Sequence, residues 1–265
     1  MSTSTIYHLN GLLRISIGVH LLAIGLFFMP EGWFYALLLV CGNHVVLVAQ
    51  GLWPRSQWLG RNITHVPPVK AGNAVYITID DGPCPTVTPQ VLQILEQYNA
   101  KATFFCIGKR VKQYPDLAKS IIASGHKLEN HSMEHSYTFS LWGRQKIYRD
   151  IVNGQAVIQH ATNIRPRYFR APAGLRNIFL DVVLQKLGLC LVSWTRRGFD
   201  TRERHVGAVL DRLCRNLQAG DILLLHDGNA ALTTQGNAVI VEVLPILLQT
   251  LFENKLDPTV LPDGL

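Results

Sequence analysis

Two neighbouring carboxylates and three histidines are the residues of this chain best suited to hydrolytic chemistry. Asp80 and Asp81 follow an apolar run, in the sequence Thr-Ile-Asp-Asp-Gly-Pro, where a strand would end in a turn. His131 and His135 lie four positions apart, and His226 ends a second apolar run. One carboxylate with two imidazoles is a typical ligand set for a divalent metal. The other carboxylate and the third histidine then suit the base and acid of a metal-assisted hydrolysis.

Polar side chains of this kind recur where predicted strands end. Beyond residue 73, short apolar runs alternate with helical patterns, which is typical of an α/β protein with a parallel sheet. The carboxyl ends of parallel strands meet at one face of a barrel, where active sites are built. We predict strands at 74–79, 102–107, 126–129, 168–170, 189–194 and 222–225. The polar residues at or after their ends are Asp80, Asp81, His131, Arg170, Asp200 and His226.

The first 52 residues have the composition of a membrane segment, because Arg14 and Glu31 are their only charged side chains. Two apolar runs of 20 residues are each about 30 Å long as helix, which matches a bilayer core. A cleaved signal peptide would begin with basic residues, which this chain lacks there. We predict two transmembrane helices (11–30 and 33–52) within 1–53, a proline-rich linker over 54–72, and a catalytic domain over 73–265.

The charge of the chain limits its partners. The formal net charge of +7 falls entirely on the part that follows the two apolar runs. That part has no lysine- or arginine-rich run interleaved with aromatic residues, so we predict no nucleic-acid partner. A basic domain beside a membrane suits anionic headgroups or acidic glycans instead. Contact with the lipid bilayer itself is predicted through the two apolar runs, within residues 11–52.

Several ordered motifs resemble those of the polysaccharide deacetylases, the family 4 carbohydrate esterases, over about 75–260. The resemblance implies a distorted (β/α) barrel of about seven units, here preceded by the helical hairpin. It also implies a hydrolase that removes an N-acetyl or similar acyl group from an amino sugar. The matching motifs are Thr78-Ile79-Asp80-Asp81-Gly82-Pro83, His131-Ser132-Met133-Glu134-His135, Arg170-Ala171-Pro172-Ala173-Gly174 and Leu224-Leu225-His226.

The same resemblance implies a role for each chemically active residue. Asp81, His131 and His135 would bind a divalent metal, usually Zn²⁺. Asp80 would be the general base and His226 the general acid. A bound metal polarises the acyl carbonyl and brings the pKa of water toward neutrality, and the acid protonates the departing amine.

Further residues of the motifs are implied to hold the substrate and the base. Arg170 would orient Asp80, and Leu224 would line the pocket for the acyl methyl group. Ala173 stands where the family often has tyrosine, beside Pro172, and its backbone N–H would stabilise the oxyanion. The substitution is expected to preserve this donor and to change the surface that faces the sugar.

One segment departs from the family pattern. After the strand ending at Trp194, the family usually has two acidic residues, the first of which tunes the catalytic histidine. This chain has Arg197 near that position, with Asp200 three residues later. We expect an arginine close to His226 to depress its pKa, unless Asp200 takes over the tuning.

These expectations leave three functions open. The first is a membrane-anchored deacetylase of a polysaccharide or glycan. The second is a deformylase or deacylase of a lipid-linked sugar, and the third is a catalytically impaired glycan-binding scaffold. The predicted location is a bacterial inner membrane, as a multi-pass protein. The side of the catalytic domain stays open, because basic residues after the second run favour the cytoplasm whereas many family members act on wall polysaccharides.

Overall fold

The computed structural model describes residues 10–265 and consists of two N-terminal helices followed by an eight-stranded parallel sheet flanked by helices. The strands are β1 (Ala74–Asp80), β2 (Thr103–Cys106), β3 (Lys127–Asn130), β4 (Tyr168–Phe169), β5 (Cys190–Leu191), β6 (Arg196–Arg197), β7 (Ile222–His226) and β8 (Asp257–Thr259). The α-helices are α1 (Gly11–Phe27), α2 (Gly32–Leu52), α3 (Pro68–Ala71), α4 (Thr88–Gln97), α5 (Gly108–Gln113), α6 (Pro115–Ala123), α7 (Arg144–Thr162), α8 (Leu180–Leu187), α9 (Val206–Cys214) and α10 (Val239–Glu253).

The strands form a half-barrel with β1 and β7 near its middle. The order is β5-β4-β3-β2-β1-β7-β6, and β8 pairs with the first half of β1. All pairs are parallel, so the carboxyl ends of β1 to β7 lie along one edge. This arrangement confirms the predicted parallel sheet of βα units and brings the predicted site residues to one face.

Side-chain alternation along β1 decides which of its residues face the site. Val75, Ile77 and Ile79 belong to the cluster that packs the sheet against the helices, whereas Tyr76 belongs to the cluster inside the barrel. Asp80 is an even number of positions from Tyr76, so it also faces inward. The register with β7 sets Asp80 directly beside His226.

The six strands predicted from apolar runs are all present, several of them shorter than predicted. Two further strands, β6 and β8, were missed. β6 is a pair of arginines and β8 contains a proline, so neither has an apolar run to detect. Both are held by tertiary pairing, β6 with β7 and β8 with β1.

The segment predicted as a linker lies along the free edge of β5. Ile63 forms a parallel bridge with Val192, through Ile63 N–H to Leu191 O at 2.9 Å and Ser193 N–H to Ile63 O at 2.8 Å. Further along, Val66 N–H donates to Gly220 O at 2.9 Å. The prolines prevent a long strand, yet the backbone polar groups of the segment are satisfied by the sheet edge.

The first N-terminal helix is shorter than its apolar run predicts, whereas the second begins one residue earlier than predicted. Only α2, among the described residues, is long and apolar enough to cross a bilayer, and 11% of that stretch is buried. α1 has 17 residues, because the chain turns before Pro30. A multi-pass topology is therefore not supported, and a signal sequence near the N-terminus would have the same composition as α2. The two helices pack together, with Asn43 Nδ2 donating to Ser16 Oγ at 2.9 Å.

The carboxyl end of α2 is docked on the barrel. Arg176 N–H donates to Gly51 O at 3.1 Å, and a Cβ on Gly51 would lie 2.5 Å from Arg176 O, so only glycine allows this approach. Pro54 follows α2 and accepts a hydrogen bond from Ser193 Oγ at 2.7 Å. A Cβ on Gly174 would lie 2.7 Å from the Pro54 side chain. The helix is thus joined closely to the loops after β4 and β5.

Candidate active site

Asp80 is held by a buried arginine. Arg170 Nη1 donates to Asp80 Oδ1 at 2.7 Å and to Thr78 Oγ1 at 2.8 Å. The same guanidinium donates to Ser193 O at 2.7 Å and lies 4.1 Å from the centroid of the Phe105 ring. Arg170 is only 1% exposed, so its position is determined by these contacts. Arg170 and Asp80 therefore form a buried ion pair.

Asp81 and two histidines converge beside Asp80. Asp81 Oδ1 lies 3.3 Å from His131 Nε2 and 3.1 Å from His135 Nε2. One ligand atom from each of these residues lies within 4.8 Å of the others. His131 Nδ1 donates to Arg170 O at 2.8 Å, which leaves Nε2 directed at the cluster. The backbone of Asp81 is left-handed, at φ 72°.

The donors present fit a divalent cation. Asp81 Oδ1 is buried without a hydrogen-bond partner among residues 10–265, while Oδ2 accepts from Asn229 Nδ2 at 2.7 Å. With His131 Nε2 and His135 Nε2 facing that oxygen, three electron-pair donors meet at one point. A cation would satisfy all three, and carboxylate with imidazole is a donor set that transition metals accept.

The protonation states also suit a metal. Burial opposes ionisation of Asp81, but the neighbouring His131 and the other histidines hold the pKa of Asp81 well below its usual range. Burial and the charge of His131 lower the pKa of His135 to about 4. Burial lowers the pKa of His131, yet Asp80 and Asp81 outweigh it and raise the pKa. Because the pKa of His131 is raised, a cation competes with a proton at this imidazole.

His226 has a carboxylate partner from the departing segment. His226 Nδ1 donates to Asp200 Oδ1 at 2.9 Å, and the backbone N–H of His226 donates to Asp200 Oδ2 at 2.6 Å. Burial lowers the pKa of His226, but Asp200 and the site carboxylates raise it to about 9. The fully buried Asp200 thus supplies the carboxylate in place of the expected acidic residue, and the pKa of His226 is not depressed.

These groups open into one cavity of about 330 Å³. Asp80, Asp81, His131, His135 and His226 all line it. The cavity therefore brings the predicted metal ligands, base and acid together in one solvent-accessible space.

Two of the predicted substrate-binding residues also line this cavity, Leu224 and Ala173. Ala173 has φ 54°, a left-handed conformation that an alanine adopts only where its surroundings impose it. Pro172 is buried in the same turn and is not among the lining residues. Arg170 and Asp200 lie behind the wall, where each contacts a residue that lines it.

Other parts of the site have no sequence signal of their own. Asn229, which bonds to Asp81, and Tyr137 and Trp194, which line the cavity, stand in loops without a spacing pattern. Asp150 lies on α7, where it supports the loop that carries the two histidines. Its carboxylate accepts from Met133 N–H at 3.0 Å and from Glu134 N–H at 3.2 Å.

Replacing Asp150 by alanine is expected to lower the metal affinity of the site by about 10- to 100-fold, the effect usual for groups that orient ligands. The change leaves two N–H groups of the histidine loop without their acceptor and frees His131 and His135 to move. Competition with a chromophoric chelator would measure this. Asp116→Ala, which removes an exposed carboxylate from α6, is the matched control. Unchanged affinity in a folded Asp150→Ala variant would contradict the positioning role.

Comparison with known proteins identifies similar chains. A family model described as polysaccharide deacetylase matches residues 69–192. A peptidoglycan-N-acetylglucosamine deacetylase of Bacillus cereus is 38% identical over 175 residues, which cover 65% of this chain and 81% of that protein. A chitooligosaccharide deacetylase of Azorhizobium caulinodans is 36% identical over 157 residues, covering 59% and 74%. The structure of a family 4 carbohydrate esterase from Streptomyces lividans, in complex with acetate, has a TM-score of 0.64 and 29% identity, covering 71% and 92%.

Proposed function

This chain belongs to the polysaccharide deacetylase family, hydrolases that act on N-acetyl amide bonds of sugars, and we propose that it is a metal-dependent deacetylase of an amino sugar in a polysaccharide or glycan. One observation carries the proposal. A metal-type cluster of Asp81, His131 and His135 shares a cavity with a second carboxylate and a histidine. Zn²⁺ is the metal that we propose, since two imidazoles and a carboxylate suit it.

In the proposed reaction Asp80 takes the proton of the attacking water. Arg170 fixes the carboxylate so that Oδ2 stays directed toward the metal cluster, 3.7 Å from His131 Nε2. When bound, the metal supplies polarisation of the acyl carbonyl and activation of water. The backbone N–H of Ala173 is the proposed second donor to the oxyanion.

His226 is the proposed acid for the departing amine. Its Nδ1 is held by Asp200, so Nε2 is the atom that can deliver a proton into the cavity. A pKa raised to about 9 keeps the imidazole protonated at neutral pH, which the acid role requires. Leu224, on the wall of the cavity next to His226, is the proposed contact of the acyl methyl group.

Replacing Asp200 by asparagine is expected to move the basic limb of the pH–rate profile down by about 1 to 3 pH units. Activity needs protonated His226, so it is retained below the pKa of this residue and lost as pH rises through it. The variant removes the main carboxylate that raises the pKa, whereas burial still lowers it. A cation beside Asp81 offsets part of the remaining negative charge, so we expect the wild-type limb at or below about pH 9.

The pH dependence of kcat/KM between pH 6 and 10 would test this, with Asp211→Asn as the control. Asp211 is exposed on α9, so its change removes the same charge without touching the cavity. Superimposable profiles for wild type and Asp200→Asn would show that Asp200 does not tune the acid.

Anchoring through α2 is part of the proposal. Large apolar side chains on this helix face outward, including Leu37 and Leu38, which are 52% and 53% exposed. Exposed leucine at neighbouring positions is costly in water and favourable in lipid. We propose that α2 holds the enzyme at a bilayer, with α1 packed along it.

A second candidate substrate is an acylated sugar on a lipid carrier, and the docking of α2 favours it. Pro54, two residues after α2, contacts Gly174 and Ser193, and Gly174 lines the cavity. The cavity therefore lies close to the end of the proposed membrane helix. A sugar carried on a lipid at the bilayer surface would be presented to it directly.

The catalytically impaired scaffold is the least favoured alternative. It rested on the arginine near the expected acidic position, and Asp200 supplies His226 with a carboxylate in spite of that change. Each residue of the proposed catalytic set is of a type that can perform its proposed step. The set consists of Asp80, Asp81, His131, His135 and His226.

The proposed function is tested by release of acetate from purified, detergent-solubilised protein loaded with Zn²⁺. The substrates are N-acetylated chitooligosaccharide, peptidoglycan and a lipid-linked amino sugar prepared in N-acetylated, N-formylated and longer N-acylated forms. Acetate from any of these, with none from the Asp80→Asn variant, supports the deacetylase. Formate or a longer acid from the lipid-linked sugar alone supports the second candidate. Metal binding with no acyl release from any of them would overturn both and favour the scaffold.

A further inference from the structure

We propose that the cavity contains a subsite for an anionic group of the substrate, a phosphate or a carboxylate, formed by Arg197 and Arg202. The inference rests on the proposed function, because it names the class of amino sugar that the enzyme deacylates. Both arginines line the cavity together with the proposed catalytic residues, and Thr201 lies between them in sequence and also lines it.

The strand register directs Arg197 into the cavity. β6 pairs with β7 so that Arg197 is the partner of Leu224, which lines the cavity wall. Paired residues on parallel strands point to the same face of the sheet. The preceding residue, Arg196, therefore points to the opposite face, where its Nε donates to Asp221 Oδ2 at 2.7 Å.

Aromatic rings hold the guanidinium of Arg197. Its central carbon lies 5.4 Å from the centroid of the Trp194 ring and 5.0 Å from that of the Phe199 ring. Its Nε is buried and has no hydrogen-bond partner within residues 10–265. Stacking of this kind positions a guanidinium without using its N–H donors, which then remain for a ligand.

Arg197 also has no carboxylate partner in the described part of the chain. Other arginines nearby are paired, Arg196 with Asp221 and Arg212 with Glu203. The carboxylates of the site are already engaged by other groups. Asp80 pairs with Arg170, Asp81 with the two metal-type histidines, and Asp200 with His226.

An unpaired, preoriented guanidinium in a catalytic cavity is a binding group for an anion. Arginine forms paired N–H bonds with carboxylate and phosphate oxygens, and such charge-assisted bonds are the strong ones. Arg202, exposed at the rim, adds a second positive charge, and the Thr201 hydroxyl adds a donor. A neutral chitin-type sugar would leave the Arg197 guanidinium without an anionic partner and would gain less from this site.

Two kinds of amino sugar supply such an anion, and in both the anionic group lies close to the acylated amine. A phosphate at the anomeric carbon is present in sugars carried on lipid phosphates, and a carboxylate is present in acidic amino sugars of polymers. The subsite accepts either on chemical grounds. The experiment therefore uses one model compound of each kind.

The test compares N-acetylglucosamine, N-acetylglucosamine 1-phosphate and N-acetylmuramic acid with the Zn²⁺-loaded full chain. We expect wild type to prefer at least one anionic compound, and Arg197→Gln to reduce the ratio of anionic to neutral kcat/KM by about 10- to 100-fold. Arg204→Gln is the matched control, since Arg204 is exposed on the same loop and does not line the cavity. Preference for the phosphate or for the carboxylate compound identifies the source.

Binding is measured as well, by calorimetry on the Asp80→Asn background, so that the result does not depend on turnover. Arg202→Gln, at an exposed position, gives the same comparison if Arg197→Gln does not fold. Acetate release with equal preference in wild type and both cavity variants would overturn the subsite and leave the proposed function intact. No acetate release, with tighter binding of the anionic compounds that is lost in Arg197→Gln and kept in Arg204→Gln, would overturn the function and support the subsite.

Discussion

Asp81→Asn is expected to lose the metal and all measurable activity. Asparagine is nearly isosteric and tolerates the left-handed backbone at φ 72°, so the change removes the charge and little else. Loss of groups that only orient ligands costs about 10- to 100-fold in affinity, so loss of an anionic ligand should exceed about 100-fold. Metal content after gel filtration, determined by mass spectrometry, and acetate release measure the two effects.

Two controls accompany this experiment. Wild type stripped with a chelator should lose activity and recover it on addition of Zn²⁺, whereas Asp81→Asn should not recover. Asn229→Ala removes the hydrogen bond to Asp81 Oδ2 and leaves the ligands in place, so its loss of affinity should be smaller. A folded Asp81→Asn variant with wild-type metal content would refute the assignment of Asp81 as a ligand.

Asp80→Asn is expected to keep the metal and to lower kcat by about 100- to 10,000-fold, the range typical of a lost general base. The amide oxygen can still accept from Arg170 Nη1, so the geometry of the cavity persists. Arg170 is buried and loses its only carboxylate partner within 4 Å in the described chain, so a lower melting temperature should accompany the kinetic loss. Metal content, melting temperature and acetate release are measured on the same preparation.

Adjacent Asp-to-Asn substitutions thus make a matched pair. Position 81 should affect metal binding and position 80 should affect turnover at full metal content. A loss of less than about tenfold in the kcat of Asp80→Asn would be smaller than the effect of removing a general base. Such a result would contradict the role of Asp80 as the base. Equal metal loss in both variants would mean that both carboxylates are ligands.

Strands with apolar runs were predictable because burial on both faces demands a continuous apolar sequence. β1 and β7 are of this kind, and each ends in a polar residue that faces the cavity. The rule that parallel strands share one carboxyl edge places Asp80 and His226 on the same face, and the strand register sets them side by side. β6 and β8 lack such runs and form only because neighbouring strands offer them partners.

The acid half of the site shows where sequence patterns are insufficient. Arg197 stands near the position expected for an acid, and spacing alone leaves open whether it weakens His226 or Asp200 takes over the tuning. In the structure Arg197 stacks on Trp194 and Phe199, while Asp200 reaches both Nδ1 and the backbone N–H of His226. Electrostatic effects depend on the distances between atoms. The sequence alone does not say whether a carboxylate three residues further along a loop reaches the histidine.

The sequence by itself determined the family, the parallel sheet and the set of residues at its carboxyl edge, because these follow from local patterns of residue type. Tertiary structure decided which of these residues meet. It directed Asp81 toward His131 and His135, joined Asp200 to His226, and left Arg197 without a carboxylate partner in the described chain. It also packed the predicted linker against β5 and ended α1 early. The physical reason is that hydrogen bonds, ion pairs and metal sites act over a few ångströms, and only the folded chain brings distant residues within that range.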